Sequence, residues 1–143
     1  MIVDASVAMK WLIPEADSVA ADSLADRDDL MAPGVLPFEV GDVLTKQIRR
    51  GAISAEAARE AWNVFRTTPL QIMAAGAEVD DAFDLSLQLG VNFYDCVYLA
   101  LAIRQDDVLV TADESFVRAV RSSKVRRGQD RVMALAEVPG EMA

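Results

Sequence analysis

The chain has 143 residues and a net charge of -9, and 52% of its residues are hydrophobic. That length is typical of one domain, so we expect residues 1–143 to form a single domain that needs no disulfide. The chain has no histidine and one cysteine, which excludes a Ser-His-Asp triad, a histidine-bound zinc ion and an internal disulfide. Hydrolysis at neutral pH would therefore have to rest on carboxylates and a bound metal ion.

The N-terminal residues show no targeting signal, because no basic segment followed by an apolar one is present. The longest uninterrupted apolar run, residues 97–103, is far shorter than the roughly 20 residues of a membrane span. We therefore expect a cytoplasmic protein without a membrane partner. The excess of acids over bases also disfavours a protein that coats nucleic acid through charge alone.

The apolar pattern of the first half alternates short strands with helices. In chain order it predicts a strand at residues 1–4, a helix at 5–12, a helix at 17–28, a strand at 30–32, and helices at 36–50 and 54–66. Asp17 or Ser18 is the expected N-cap of the second helix, and Ser54 is that of the fourth. The fourth helix is expected to bury Ala57, Ala61 and Phe65.

The second half continues the same alternation. The pattern predicts a buried strand at 70–73, a helix at 77–89, a very apolar helix at 94–104, a strand at 108–110, a helix at 114–121 and a last strand at 132–138. Phe83, Leu87 and Val79 are expected to face the core. Short apolar strands that alternate with helices indicate an α/β fold with a parallel sheet covered on both faces.

Two acids follow predicted strands directly. Asp4 ends the first strand, and Asp113 comes just after the strand at 108–110. The carboxyl ends of parallel strands open onto the ligand crevice, so both side chains are expected at one edge of the sheet. Each could instead simply cap the helix that follows it.

Two further acids begin predicted helices. Asp95 opens the most apolar helix, where the helix dipole favours a carboxylate. Glu39 lies in the first turn of an amphipathic helix, where glutamate is common. A structural role accounts for either residue alone, and their expected convergence with Asp4 and Asp113 is the stronger argument.

A cluster of these four carboxylates requires a compensating charge. Two carboxylates about 4 Å apart repel each other by roughly 4 kcal/mol at an effective dielectric constant near 20. A divalent cation removes that repulsion, and oxygen-only ligands suit Mg²⁺ or Mn²⁺. Such an ion supports phosphoryl displacement without histidine.

The segments around these acids resemble a known family. They are Val3-Asp4-Ala5-Ser6, Pro37-Phe38-Glu39-Val40, Phe93-Tyr94-Asp95-Cys96-Val97-Tyr98-Leu99-Ala100 and Leu109-Val110-Thr111-Ala112-Asp113. They look like the four acidic motifs of PIN-domain ribonucleases, and their order and spacing are most similar to those of VapC toxins from bacterial toxin–antitoxin pairs. Each motif alone is weak, but four in order in a histidine-free chain are specific.

The resemblance implies a fold, an activity and roles for the acids. The fold would be a three-layer α/β/α sandwich with a mainly parallel central sheet, usually in a homodimer that cleaves RNA with Mg²⁺ or Mn²⁺. The catalytic quartet would be Asp4, Glu39, Asp95 and Asp113. Metal would be bound by Asp4, Asp95 and Asp113, while Glu39 would position or deprotonate the attacking water.

The resemblance also implies supporting groups and a protein partner. Ser6 and Thr111 match hydroxyl positions that often support the acids. A VapB-like antitoxin would place its tail in a groove and block the site. Trp11, Leu12 and the helices within residues 36–66 are candidates for that groove, and core packing is the alternative role for each of these residues.

Basic residues are concentrated after Asp113. Residues 118–131 contain six bases and one acid, which suits guidance of an RNA backbone or equally a mobile solvated loop. The candidate RNA contacts are Arg118, Arg121, Lys124, Arg126 and Arg127. No aromatic platform for stacked bases is evident.

Other functions fit the sequence less well. Haloacid-dehalogenase-like phosphatases carry a second Asp where this chain has Ser6, and receiver domains need an Asp after the third strand, where Ala74 stands. Gly-rich phosphate loops are absent. A non-catalytic module that binds its partner and regulates transcription remains the alternative, which the complete set of acids disfavours.

Overall fold

The centre of the molecule is a sheet of five parallel strands. A computed structural model describes residues 1–14 and 18–139. The strands are β1 (Ile2–Val3), β2 (Met31–Pro33), β3 (Gln71–Met73), β4 (Leu109–Thr111) and β5 (Val132–Ala134), in the order β3-β2-β1-β4-β5. Each neighbouring pair is parallel, which agrees with the sequence prediction.

Helices connect the strands and cover the sheet. They are α1 (Ala5–Leu12), α2 (Ser18–Ala25), α3 (Leu36–Arg49), α4 (Ala55–Thr67), α5 (Glu78–Leu89), α6 (Phe93–Arg104), α7 (Glu114–Arg121) and α8 (Arg126–Gln129), followed by a 3-10 turn at Leu135–Glu137. Ser54 caps α4 as predicted, since its side chain accepts a hydrogen bond from the Ala57 amide. Asp17, the alternative cap of α2, lies outside the described residues.

Two apolar clusters lie on opposite faces of the sheet. Ile2 and Leu109 belong to the larger cluster, whereas their chain neighbours Val3 and Val110 belong to the smaller one. This division follows from the alternation of side chains along a strand. The three-layer α/β/α arrangement is therefore confirmed.

Helix α6 is the most buried helix of the larger cluster. Its residues from Cys96 to Ala102 are all buried. The preceding α5 ends at Gly90 in the left-handed conformation (φ 66°), which glycine adopts without strain. Asn92 then caps α6 by accepting hydrogen bonds from the amides of Tyr94 and Asp95, so a tight turn sets where α6 begins and places Asp95 in its first turn.

No single helix in the described part of the chain is long and apolar enough to cross a membrane. Helices α5 and α6 reach the necessary length and hydropathy only as a pair, and they are bent by 119° at the break between them.

The predicted core face of α5 is wrong. Val79, Phe83 and Leu87 are exposed by 36%, 58% and 69%, while Ala82 and Leu85 are buried. The helix carries apolar residues on both sides, so spacing alone did not identify the side that packs. The result is an apolar stripe (Val79, Phe83 and Leu87) on the surface.

Three smaller predictions also need correction. Strand β3 is at the edge of the sheet, and Gln71 and Ile72 are exposed rather than buried. Helix α4 buries Ala58 instead of Ala57. Strand β5 ends at Ala134, because the chain turns into the 3-10 turn, where Glu137 accepts a hydrogen bond from the Ala134 amide.

Candidate active site

The carboxyl ends of β1 and β4 bring two acids to one edge of the sheet. These strands are neighbours, with Val3 opposite Val110. Asp4 directly follows β1, and Asp113 comes two residues after β4. Their side chains therefore lie where ligands bind to open parallel sheets.

Asp4 is a buried carboxylate, with 7% of its surface exposed. It caps α1, because its Oδ1 accepts hydrogen bonds from the Val7 amide (3.2 Å) and from Ser6 Oγ (2.5 Å). Burial raises the pKa of Asp4, and the hydrogen bonds from Ser6 and Thr111 oppose that rise. Asp4 therefore caps α1 and also lies at the sheet edge of the candidate site, so the two roles are not alternatives.

Ser6 and Thr111 link the ends of the two strands. Ser6 Oγ lies 3.3 Å from Thr111 Oγ1 and accepts a hydrogen bond from the Ala112 amide at 2.9 Å. Thr111 Oγ1 accepts a hydrogen bond from the Asp113 amide at 3.1 Å. The two hydroxyls therefore hold the backbone that carries Asp4 and Asp113.

Asp113 is exposed and caps α7. Its Oδ1 accepts hydrogen bonds from Ser115 Oγ (2.6 Å) and from the Phe116 amide (3.1 Å). The hydrogen bond from Ser115 is the main cause that lowers the pKa of Asp113, and the charge of Arg118 lowers it further. Asp113 is thus ionised at neutral pH.

Asp95 has a different environment. Its side chain accepts no hydrogen bond from the described residues, although its amide is capped by Asn92. Burial raises its pKa to about 6, and the charges of Asp4, Asp113 and Glu39 add to that rise. The four predicted acids therefore interact electrostatically, and the negative charges of the other three all raise the pKa of Asp95.

Glu39 extends from the first turn of α3 and is bound by a tyrosine of α6. Tyr98 Oη donates a hydrogen bond to Glu39 Oε1 at 2.7 Å. Burial and the charge of Asp4 raise the pKa of Glu39, whereas the tyrosine hydrogen bond lowers it. The sequence patterns did not single out Tyr98 as a functional residue. The pattern that could have identified it is a tyrosine one turn after Asp95 in a very apolar helix, because a buried phenol hydroxyl needs a polar partner.

The donor chemistry of the site fits a hydrated hard cation. Among residues 1–14 and 18–139, no three acidic or cysteine side chains converge closely enough to enclose a metal ion. Mg²⁺, however, usually keeps several waters and takes one or two protein carboxylates. The oxygen donors of Asp4, Asp95 and Asp113 suit such an ion or Mn²⁺.

The predicted basic residues are spread over both edges of the sheet. Arg118 lies on α7 close enough to influence Asp113. Arg121 is paired with Glu137 at 2.6 Å and 2.8 Å. Lys124, Arg126 and Arg127 lie before β5, so the parallel topology puts them towards the edge opposite Asp4. The topology thus separates Arg118 from Lys124, Arg126 and Arg127, and the role of these residues as RNA contacts stays a prediction.

A groove of about 650 Å³ lies between α3 and α4. Its walls include Leu44 and Ile48 of α3 and Ala58 and Trp62 of α4. Trp11, another candidate from the sequence, instead donates a hydrogen bond from Nε1 to the carbonyl oxygen of Ala21 at 2.6 Å. Trp11 therefore joins α1 to α2.

Comparisons with known proteins agree on the fold and the family. Residues 1–121 match the PIN domain model. Ribonuclease VapC3 from Pyrobaculum aerophilum is 31% identical over 118 residues, which cover 79% of this chain and 88% of the relative.

Two solved structures resemble this one. PAE2754 from Pyrobaculum aerophilum superposes with a TM-score of 0.68 at 21% identity, covering 94% of this chain and 88% of that one. A toxin–antitoxin complex from Klebsiella pneumoniae gives a TM-score of 0.59 at 12% identity, covering 94% and 96%. At these identities the two structures support the fold alone.

Proposed function

Because this chain belongs to the PIN domain family, we propose that it is an Mg²⁺- or Mn²⁺-dependent endoribonuclease, the toxin of a toxin–antitoxin pair. The observation that carries the proposal is that Asp4 and Asp113 follow the carboxyl ends of the neighbouring strands β1 and β4, with support from the charges of Asp4, Asp113 and Glu39, which act on Asp95. A chain without histidine needs such a set of carboxylates for hydrolysis. The ribonuclease name of the VapC3 relative supports RNA as the substrate.

In this proposal Asp4, Asp95 and Asp113 would hold a hydrated metal ion, one or two of them directly and the rest through its waters, because they are the acids nearest the ends of β1 and β4 and the start of α6. When bound, a divalent cation stabilises the negative charge that develops on the phosphate. Ser6 and Thr111 keep Asp4 and Asp113 in register, because Ser6 Oγ contacts Thr111 Oγ1 and accepts a hydrogen bond from the Ala112 amide across the two strand ends. Removing either hydroxyl would loosen the ligands without removing one.

Glu39 acts as the general base in the proposed reaction. It accepts a proton from the water that attacks phosphorus, while the bond from phosphorus to the leaving oxygen breaks and that oxygen takes a proton from solvent. Burial raises the pKa of Glu39, which makes it a better proton acceptor than an ordinary glutamate. Arg118, near Asp113, is the basic residue best located to contact the RNA backbone.

The proposal includes a protein inhibitor and a second copy of the chain. A VapB-like antitoxin would insert an apolar segment into the groove between α3 and α4, whose walls are mainly apolar. The exposed stripe of Val79, Phe83 and Leu87 would serve a homodimer, since contiguous apolar surface marks interaction sites. Residues 1–143 would form one domain that acts on cytoplasmic RNA.

Cleavage of total cellular RNA by the purified, antitoxin-free protein tests this function, with the ends of the products mapped. We expect internal cuts that need Mg²⁺ or Mn²⁺ and stop with EDTA or with Asp4→Asn. Cleavage that continues at full rate in EDTA, or with Asp4→Asn, contradicts the proposal. No cleavage by the wild-type protein under any metal condition favours the non-catalytic module instead.

A further inference from the structure

We propose that Tyr98 is a positioning residue that fixes Glu39 for the reaction, an inference that rests on the proposed function. The Tyr98 hydroxyl donates a hydrogen bond to Glu39 Oε1 at 2.7 Å. The two residues are 59 positions apart in sequence and lie on different helices, α6 and α3. The contact therefore ties the catalytic glutamate to the helix that carries Asp95.

The tyrosine is the rigid partner in this pair. Tyr98 is 1% exposed and belongs to the continuously buried segment of α6. Its ring packs in the core, so the position of its hydroxyl is set by the fold. Glu39, in contrast, is only partly buried, and a glutamate side chain has several rotatable bonds whose freedom must be restricted.

Electrostatic repulsion makes such a tether necessary. The negative charge of Asp4 acts on Glu39, and Glu39 in turn acts on Asp95. These like charges favour rotation of the Glu39 carboxylate towards solvent. Tyr98 is the single hydrogen-bond donor to that carboxylate among the described residues, and hydrogen bonds to a charged acceptor are strong ones.

The tether leaves one carboxylate oxygen for chemistry. Tyr98 occupies Oε1 of Glu39, so Oε2 is the oxygen available to accept a proton from water. Loss of the tether should slow the chemical step, because the glutamate is then in the productive orientation for a smaller fraction of the time. Substrate binding should change little, because neither the phenol nor its hydroxyl is exposed.

Tyr98→Phe tests this inference, with Tyr94→Phe as the matched control. Phenylalanine keeps the ring and removes only the hydroxyl. Tyr94 lies on the same helix and is 52% exposed, and its hydroxyl makes no hydrogen bond within the described residues. On one oligoribonucleotide with Mg²⁺, we expect Tyr98→Phe to lower kcat about 10- to 100-fold with KM unchanged, and Tyr94→Phe to leave both unchanged.

The double variant distinguishes positioning from general damage. If Tyr98 acts through Glu39, then Tyr98→Phe added to Glu39→Gln should lower kcat no further than Glu39→Gln alone. Equal kcat for Tyr98→Phe and wild type, a change confined to KM, or additive losses in the double variant would each overturn the inference.

Two measurements keep the test decisive if Tyr98→Phe folds poorly or if the wild type is inactive. Glu39→Asp keeps the charge but is too short to reach Tyr98, so it should lower kcat as Tyr98→Phe does, and a full rate would overturn the inference. Urea unfolding of metal-free Tyr98→Phe, Glu39→Ala and the double variant of these two measures the Tyr98–Glu39 coupling without catalysis, because alanine, unlike glutamine, cannot accept the tyrosine hydrogen bond. An inactive wild type together with a clear coupling free energy between Tyr98 and Glu39 would contradict the proposed function but not the tether. Absence of that coupling would contradict the tether alone.

Discussion

The strand-end half of the site, with Asp4, Ser6, Thr111 and Asp113, differs from the helix-borne half, with Asp95 and Glu39, in how its charges are stabilised. Asp4 and Asp113 each accept two hydrogen bonds through Oδ1. Asp95 accepts none from the described residues and has a pKa of about 6. Hydrogen bonds thus stabilise the charges at the strand ends, although burial still raises the pKa of Asp4, while Asp95 carries the repulsion of the other three acids with no hydrogen bond from the described residues.

This difference shows how the fold accommodates acids whose charges act on one another. Donors from the backbone and from Ser6 and Ser115 stabilise the strand-end charges, so the fold tolerates them. Partial neutralisation of Asp95 lowers the remaining repulsion. The strand ends therefore hold Asp4 and Asp113 in place through hydrogen bonds. Asp95 experiences the repulsion that a bound cation would relieve in the proposed function.

The largest expected effect is on catalysis. Asp95→Asn should lower Mg²⁺-dependent RNA cleavage by about 10³-fold or more, because several kcal/mol of charge stabilisation depend on the metal ion. Asp84→Asn, which changes an exposed acid of α5, is the control and should cleave normally. Initial rates on an oligoribonucleotide measure both variants, and cleavage by Asp95→Asn within threefold of wild type would remove Asp95 from the site.

The next effect concerns the hydrogen-bonded half. Ser6→Ala removes the donor to Asp4 and leaves the Ala112 amide without its acceptor, so it should destabilise the fold by about 1–3 kcal/mol. Ser122→Ala, whose hydroxyl bonds only to carbonyls of its own helix, is the matched control. Urea unfolding at pH 7 gives both values, and equal stability for the two variants would show that the strand ends do not depend on Ser6.

Asp95→Asn is expected to raise the free energy of unfolding of the metal-free protein, which is a smaller effect than that of Ser6→Ala and opposite in sign. The pKa of Asp95 is raised from 3.8 to about 6, so the folded state binds its proton more tightly than the unfolded chain does. Its contribution to the free energy of unfolding is present below about pH 4 and is lost as the pH rises through 6. Asp95→Asn should therefore stabilise the protein at pH 7.5, by about 1 kcal/mol after allowance for solvent screening.

That gain should be much smaller at pH 4.5, where Asp95 is protonated in the folded wild type, and it should disappear below about pH 4. Thermal unfolding in EDTA at both pH values measures the difference. A gain of the same size at both values would mean that the substitution acts through packing rather than through charge.

The smallest effect is expected at Ser115. Ser115→Ala removes the main cause of the lowered pKa of Asp113, but Asp113 is exposed and keeps the hydrogen bond from the Phe116 amide. The free energy of unfolding should fall by about 0.5 kcal/mol, as is usual for exposed positions, with cleavage nearly unchanged. A fall in the free energy of unfolding as large as that of Ser6→Ala would show that the exposed Asp113 depends on its serine donor as much as the buried Asp4 does.

The sequence predicted most of the parallel α/β order and singled out the four acids, whose role in one catalytic site stays a prediction. It did so because strand-end acids and helix starts have local signals, such as the apolar runs before Asp4 and Asp113. Those signals do not specify tertiary partners. The bond between Tyr98 and Glu39 joins residues that only the packing of α6 against α3 brings together.

The errors have the same physical origin. Helix α5 has two apolar rows, and the row with Ala82 and Leu85 packs against the core. Strand β3 has the composition of a buried strand, but it lies at the sheet edge. Spacing gives the period of an element, whereas its neighbours decide which side is covered.

The central claim is that the four carboxylates interact electrostatically in one site. It is tested most directly by ¹³C NMR titration of the aspartate side-chain carboxyl groups in the metal-free protein. We expect Asp95 to titrate with a pKa near 6, and we expect Asp4→Asn to lower that pKa while Asp84→Asn leaves it unchanged. Titration of Asp95 near 3.8 in the wild type, with no response to Asp4→Asn, would contradict a site in which these acids act together.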